Sequence, residues 1–377
     1  MNNTNQSYKV ALLLPEQVRR ILHIRRIVEY SPLSRHQQRL RQSRNLTLRR
    51  FLWLIATVLS STTLMAADTA AQTHFLEAPV NWQSAHFQDH PLVGTIWHAD
   101  GRSADWQELT AAVQNASQVL IGEVHPNPDH HQLQASILAS VIASGKQPAV
   151  VWEMIPFARQ DVLDDWTMAQ TPDAATLGKT LEWSASGWPA WELYQPIAHV
   201  AARHHLKMIG TALPRETMMN IGRHGTSGIE ENLRASLHLD IELDKQALAG
   251  LMKSLREGHC DLMPDEALTP MSLAQRARDG AMADAMLKGN TSLHAVLIAG
   301  NGHIRKDWGV AGLLSRLSPE AKPLSIAQIE VQSGETDLAA YIDLHDAANG
   351  FDFFILTPRS ELKDHCAELR KKFGKVK

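Results

Sequence analysis

At 377 residues the chain could hold two or three average domains, but its first stretch reads as targeting sequence, and the remainder suffices for one large core. The formal net charge of −3 hides an asymmetry: residues 1–50 carry eleven Lys or Arg against two Asp or Glu, leaving 26 against 38 beyond them. An acidic body has no overall attraction for phosphate backbones, and nucleic acid is excluded as a partner.

In chain order, the first feature is Phe51 to Ala66, sixteen residues without a charge, preceded by Arg41, Arg44, Arg49 and Arg50 and followed by Ala67, Ala70 and Ala71. It is too short for a firm membrane span. A basic region, a short apolar run and small residues after it predict a secretory signal cleaved near residues 66–71, or an uncleaved anchor. The expectation is an exported chain, periplasmic or membrane-associated, with residues 1–71 as leader and residues 72–377 as the folded domain. No cysteine lies near the cleavage zone to take a lipid. Cys260 and Cys366, the two cysteines present, can either bridge or stay as buried thiols.

Six short apolar, β-branched runs follow: Gln118 to Gly122, Pro148 to Glu153, Lys207 to Thr211, Ala295 to Ala299, Ile326 to Val331 and Phe351 to Thr357. Continuous rather than alternating runs predict strands buried on both faces. Helical patterns over Asp129 to Ala143 and Pro189 to His205 are long enough for crossovers, with Pro189 suited to a first turn. The expected fold is therefore α/β: three layers, a mostly parallel sheet flanked by helices, and a helical insertion at about residues 212–290, before the fourth strand, over the sheet edge.

Ligands of such sheets bind beyond the carboxyl ends of the strands. The polar residues follow that rule: Gly122-Glu123-Val124-His125 after the first strand, Glu153 ending the second, Thr211 running to Arg215 after the third, and Gly300-Asn301-Gly302-His303 after the fourth. In the insertion, Met271, Gln275, Arg278 and Met282 recur at helical spacing on one face. Arg278 there can close over the strand-end carboxylates or an anionic ligand, or form an ion pair with Asp279 or Asp284. Trp152, Trp166, Trp183, Trp188 and Trp191 crowd together, and Trp188, Trp191 and Tyr194 follow at threes. This stripe reads as core, or as a wall for a planar macrocycle, for which Tyr194 is the better placed of the tyrosines. His130 and His131 follow the first motif at the start of a helix.

Taken together, GEVH, WEM, the HC and AQxxRDxxMA segments and AGNGHIRKDWGV resemble the ChaN-like haem-uptake family, a relative of the Tiki and TraB superfamily, from about Val119 to Thr357. The resemblance implies haem as ligand, a part in envelope iron acquisition, and an outer-membrane haem receptor as a possible partner. A homodimer is plausible because a second copy can cover a flat exposed ligand. In this reading Tyr194 is the axial donor, with histidine as the fallback, and Arg278, Arg215, Gln275 and Lys306 meet the rest of the haem. The superfamily implies an alternative, a metal-dependent hydrolase in which Glu123, His125 and His303 hold a divalent ion and Glu153 acts as base or fourth ligand; Glu123 and Glu153 would then be catalytic. Whether the chain is an enzyme is left open by its residues.

Overall fold

A computed structural model describes residues 75–289 and 294–373. A short hairpin, β1 (Ile96–His98) and β2 (Ser103–Ala104), leads to α1 (Trp106–Asn115), β3 (Gln118–Glu123), α2 (Pro128–Ala143) and β4 (Ala149–Pro156). Then come α3 (Gln160–Met168), α4 (Ala174–Thr180), α5 (Trp191–Arg203) and β5 (Met208–Ala212). The insertion supplies α6 (Arg215–His224), α7 (Glu231–Ser236), α8 (Lys245–Gly258) and α9 (Asp265–Lys288). The chain continues through β6 (Ala295–Gly300), α10 (Val310–Leu317), β7 (Leu324–Glu330), α11 (Leu338–His345), α12 (Ala347–Gly350), β8 (Phe353–Thr357) and α13 (His365–Phe373).

The eight strands form one sheet in the order β2-β1-β8-β7-β3-β6-β4-β5. Strands β3 to β8 run parallel and the β1–β2 hairpin is antiparallel. The pattern of apolar residues explains the burial: in β3, Val119 and Ile121 enter a core with α1, α2, α4 and α5, while Leu120 enters a second core with α9 and α10. Period-two side-chain alternation thus turns an unbroken apolar run into a strand covered on both faces, giving the three layers the sequence predicts. The six predicted strands all form; the hairpin is missed because β1 and β2 are too short to carry a pattern.

Local signals set the helix starts. Asn127 caps α2, its Oδ1 accepting from the amides of Asp129 (2.9 Å) and His130 (3.3 Å), and Pro128 occupies the first turn. The second crossover begins later than predicted. Pro189 lies outside α5, its carbonyl accepting from Trp183 Nε1 at 2.7 Å, and Trp191 is the first helical residue.

Helix α9 packs on β4, β5 and β6. Met282, Ala283 and Met286 give it a core-facing strip, so this part of the insertion covers a face of the sheet as well as its edge. Gly280 is required where α9 passes the 237 turn, because a Cβ there would fall on the carbonyl oxygen of Leu237. Cys260 and Cys366 form a disulfide that ties the turn after α8 to α13.

The expectation of export or membrane association is withdrawn. No helix among the described residues is long and apolar enough to cross a membrane, and the basic leader with Phe51 to Ala66 lies outside the described residues.

Candidate functional site

The order of the strands brings distant residues together. Strand β6 lies between β3 and β4, with Glu123 in register with Gly300 and Trp152 in register with Ile298. The chain therefore leaves β3, β6 and β4 at one end of the sheet, where successive connections run in opposite directions and open a crevice. A Cβ on Gly300 would lie 3.3 Å from His125 Nε2 and 3.6 Å from Glu153 Oε2. Glycine is thus what lets the ends of three strands present their side chains to one another.

Glu123 is 3% exposed and carries four neighbours. Its Oε1 accepts from the Tyr194 hydroxyl at 3.2 Å and lies 2.6 Å from His125 Nδ1. Its Oε2 accepts from Gln134 Nε2 at 2.8 Å and lies 3.4 Å from His131 Nδ1. His131 in turn reaches the His125 carbonyl through Nε2 at 2.9 Å, so two helix residues fix the loop that carries His125. The His125 side chain is 31% exposed, and its ring meets Trp188 edge-on with centroids 4.7 Å apart. Burial alone would lower the His125 pKa, but the hydrogen bond and charge of Glu123 outweigh it and raise it.

The second half of the cluster is deeper. Glu153 accepts from the Gly300 amide at 2.7 Å, pairs with Arg278, and lies 3.3 Å from His303 Nε2. Burial would raise its pKa; His303 and Arg278 reverse this and hold the carboxyl far below the usual carboxylate range. His303 Nδ1 lies 2.6 Å from Asp279 Oδ1 and 2.9 Å from Gln275 Nε2. Burial would discharge this imidazole, but Glu153 and Asp279 push its pKa up to about 9. Asp279 is itself shifted upward, chiefly by burial, and its Oδ2 has no hydrogen-bond partner. Gln275, Arg278 and Asp279 stand at helical spacings of three and one on α9, which presents all three to the strand ends.

Several sequence expectations change here. Tyr194 is fully buried with its hydroxyl held by Glu123, and burial with that carboxylate raises its pKa well above the ordinary phenol range. The phenol faces inward and offers no donor at the opening. Lys306 pairs with Asp352, which also accepts from the Ser325 amide near the amino end of β7, away from the cluster. Arg215 is exposed at the first turn of α6. His130 is buried, accepting from the Val124 amide at 2.8 Å and reaching Thr357 Oγ1 at 2.8 Å, and braces the loop.

Glu123, His125 and His303 do not form a metal-ligand set. Among the described residues no group of three or more His, Cys, Asp and Glu side chains is arranged to hold a metal ion. The reason is visible in the bonding: both oxygens of Glu123 and both nitrogens of His303 are spent on protein neighbours. Asp279, Gln134 and His131 also touch the cluster, and sequence analysis did not place them in the site. A signal existed for Asp279, four residues beyond Gln275 on the face already marked.

The family model for haem-binding uptake proteins of the ChaN type, within the Tiki superfamily, matches residues 109–314. That span covers more than half of the chain and includes every residue of the cluster. The chain belongs to the ChaN family. Among solved structures, one described as cofacial heme binding to ChaN of Campylobacter jejuni is similar with a TM-score of 0.54 and 19% identity, over 69% of this chain and 95% of that one. It supports the same fold. An erythromycin esterase in its open conformation is more distant, with a TM-score of 0.38 and 13% identity over 76% of this chain and 100% of that one. No curated protein matches the chain. As a ChaN-family member the chain is a haem-binding uptake-type protein, and the support is for haem rather than a divalent ion as ligand.

Proposed function

We propose that this chain takes up haem at the open end of the sheet, with His125 Nε2 as the iron donor. The observation that carries this is the state of His125. It is the imidazole of the cluster that reaches solvent, its Nδ1 is held by Glu123, and Trp188 stands beside the ring. A carboxylate on one ring nitrogen fixes the ring and leaves the other nitrogen to a ligand, the arrangement common to metal-bound histidines. Trp188 supplies a flat apolar wall, and Arg278, one third exposed beside the same opening, supplies a cation for a propionate. Bound haem would offer its iron as acceptor; orientation and discrimination come from Glu123, Trp188 and Arg278.

In this reading Tyr194 and Gln134 position Glu123, and Gln275 positions His303, rather than touching haem. Transfer to or from a haem receptor, and pairing of two copies over the exposed face, belong to the same proposal. Haemin titration of the full chain tests it. The expected result is a saturable visible absorption band that is lost in His125→Ala and retained in Tyr194→Phe. Loss in Tyr194→Phe with retention in His125→Ala would reverse the assignment, and absence of saturable binding would reject it. Mass in solution with and without haemin tests pairing.

A further inference from the structure

The outer edge of the sheet carries a cavity that shares no residue with the His125 cluster. Strand β5 is last in the sheet order and pairs only with β4. A cavity of about 460 Å³ lies along it, walled by α3, α7 and α9. That volume falls in the range of small-molecule pockets. The lining reaches from Lys207, just before β5, to Leu213, just beyond it. The cavity therefore follows the strand for on the order of 15–20 Å, long for its volume.

Its walls are hydrocarbon: Ile209 and Leu213 from the strand, Leu233 and Leu237 from the end of α7, and Ala285 from α9. Phe157 stands in the lining with 48% of its surface exposed, so the apolar wall continues to solvent. Gly289 brings the end of α9 onto the strand, since a Cβ there would lie 2.3 Å from Ile209 Cδ1. Nearly every polar group in the lining is already bound. Thr211 Oγ1 donates to the Trp152 carbonyl and Ser236 Oγ to that of Leu233, each at 2.8 Å. Asp284 pairs with Lys288 at 2.6 Å and with His238 at 3.3 Å. The Gln160 carboxamide imitates a neighbouring strand: it donates to the Met208 carbonyl at 2.9 Å and accepts from the Gly210 amide at 3.2 Å. A peptide adding to β5 would have to displace it. The exception is Lys207, whose ammonium meets no acceptor or carboxylate among the described residues.

Apolar walls favour a hydrocarbon body, and one free ammonium favours one negative charge. A second charge on the ligand would find no open cation, because Lys288 is held by Asp284. The elongated shape suits an unbranched chain better than a disc, and the lining holds no imidazole, phenol, thiol or thioether to meet a haem iron. We propose that this cavity binds an amphipathic monocarboxylate of the medium-chain fatty acid class. Its chain lies along β5 against Leu213, Leu233 and Leu237, and its carboxylate meets Lys207. The proposal does not depend on haem binding.

The test is calorimetric titration of the full chain with decanoate, and with decanol as the uncharged counterpart, below the aggregation limit of each. Wild type is compared with Lys207→Gln, which removes the charge at an exposed position, and with Ala285→Phe, which fills the cavity. Circular dichroism checks that both variants are folded. The expected result is one decanoate per wild-type chain, bound more tightly than decanol. Lys207→Gln is expected to weaken decanoate by about tenfold or more while leaving decanol unchanged, and Ala285→Phe to abolish binding of both. No saturable decanoate binding by wild type overturns the proposal. Decanol binding as tightly as decanoate overturns it as well, because Lys207 then selects nothing. Titration of Lys207→Gln like wild type also overturns it, and this variant decides the matter should Ala285→Phe not fold.

Discussion

Glu153→Gln puts the deep half of the cluster to the test. Glu153 is 3% exposed, and its oxygens face three donors: the Gly300 amide, Arg278 and His303 Nε2. Glutamine keeps the shape, but removes the charge and turns an amide NH2 toward groups that also donate. Arg278 and a protonated His303 then lose their shared counter-charge. Removing one partner of a buried ion pair costs about 3–5 kcal/mol. With roughly 2 °C per kcal/mol for a domain of this size, the melting midpoint falls by about 6–10 °C.

The pH dependence follows from the two shifts. Glu153 is depressed from 4.5, so its contribution is present above that value and is lost as pH falls through its lowered pKa. His303 is raised from 6.5 to about 9, so its contribution is complete below 6.5 and is lost as pH rises through about 9. The stability difference between wild type and Glu153→Gln is therefore largest between 4.5 and 6.5 and shrinks toward 9. Thermal unfolding by circular dichroism across that range measures it. A loss below about 1 kcal/mol, the ordinary scale of point substitutions, or a difference that does not change with pH, would refute the assignment of opposite charges to this trio.

Gly280→Ala is expected to cost about 1–3 kcal/mol or more through overpacking against the Leu237 carbonyl, read as a lowered midpoint in denaturant. Reduction of Cys260–Cys366, which spans 106 residues, removes a cross-link worth about 2–4 kcal/mol, and melts with and without reductant should separate accordingly. Haem affinity at His125 should fall by about tenfold per pH unit below the raised pKa of that imidazole, since iron and proton compete for Nε2. Titrations at several pH values check this, and an affinity that rises on acidification would contradict it.

The parallel sheet was legible because strands buried on both faces need unbroken apolar runs, and Val119 to Ile121 or Val296 to Ala299 leave no other economical reading. The strand-end rule was enough to nominate Glu123, His125, Glu153 and His303. What the sequence could not carry was depth. Tyr194 and His125 both belong to polar or aromatic stretches near the site, yet the phenol is wholly buried and the imidazole reaches solvent. That difference depends on how far α5 sinks against β4. Trp152 and Trp183 pack on Tyr194, with Trp191 against both of them, and no local pattern records such packing. Lys306 was misplaced for a related reason: the chain after β6 turns back along the sheet, with the Lys306 amide donating to the Gly350 carbonyl at 2.8 Å.

The two imidazoles nominated by the sequence illustrate how burial assigns roles to identical chemistry. His125 has one carboxylate at 2.6 Å and an open side; His303 has carboxylates near both nitrogens and a side chain 7% exposed. A proton on His303 is shared between two acids and serves as a fixed positive charge under the loop after β6. On His125 one buried acid holds Nδ1, while Nε2 is left toward the open side, where an incoming acceptor can take the place of a proton. Exchanging the two roles would require opening the packing of α9 on the strand ends, because Gln275 and Asp279 close the remaining approach to His303. In the proposed reading His303 therefore bears on the ligand only through the shape and charge of the opening, and His125 is the group that would meet it.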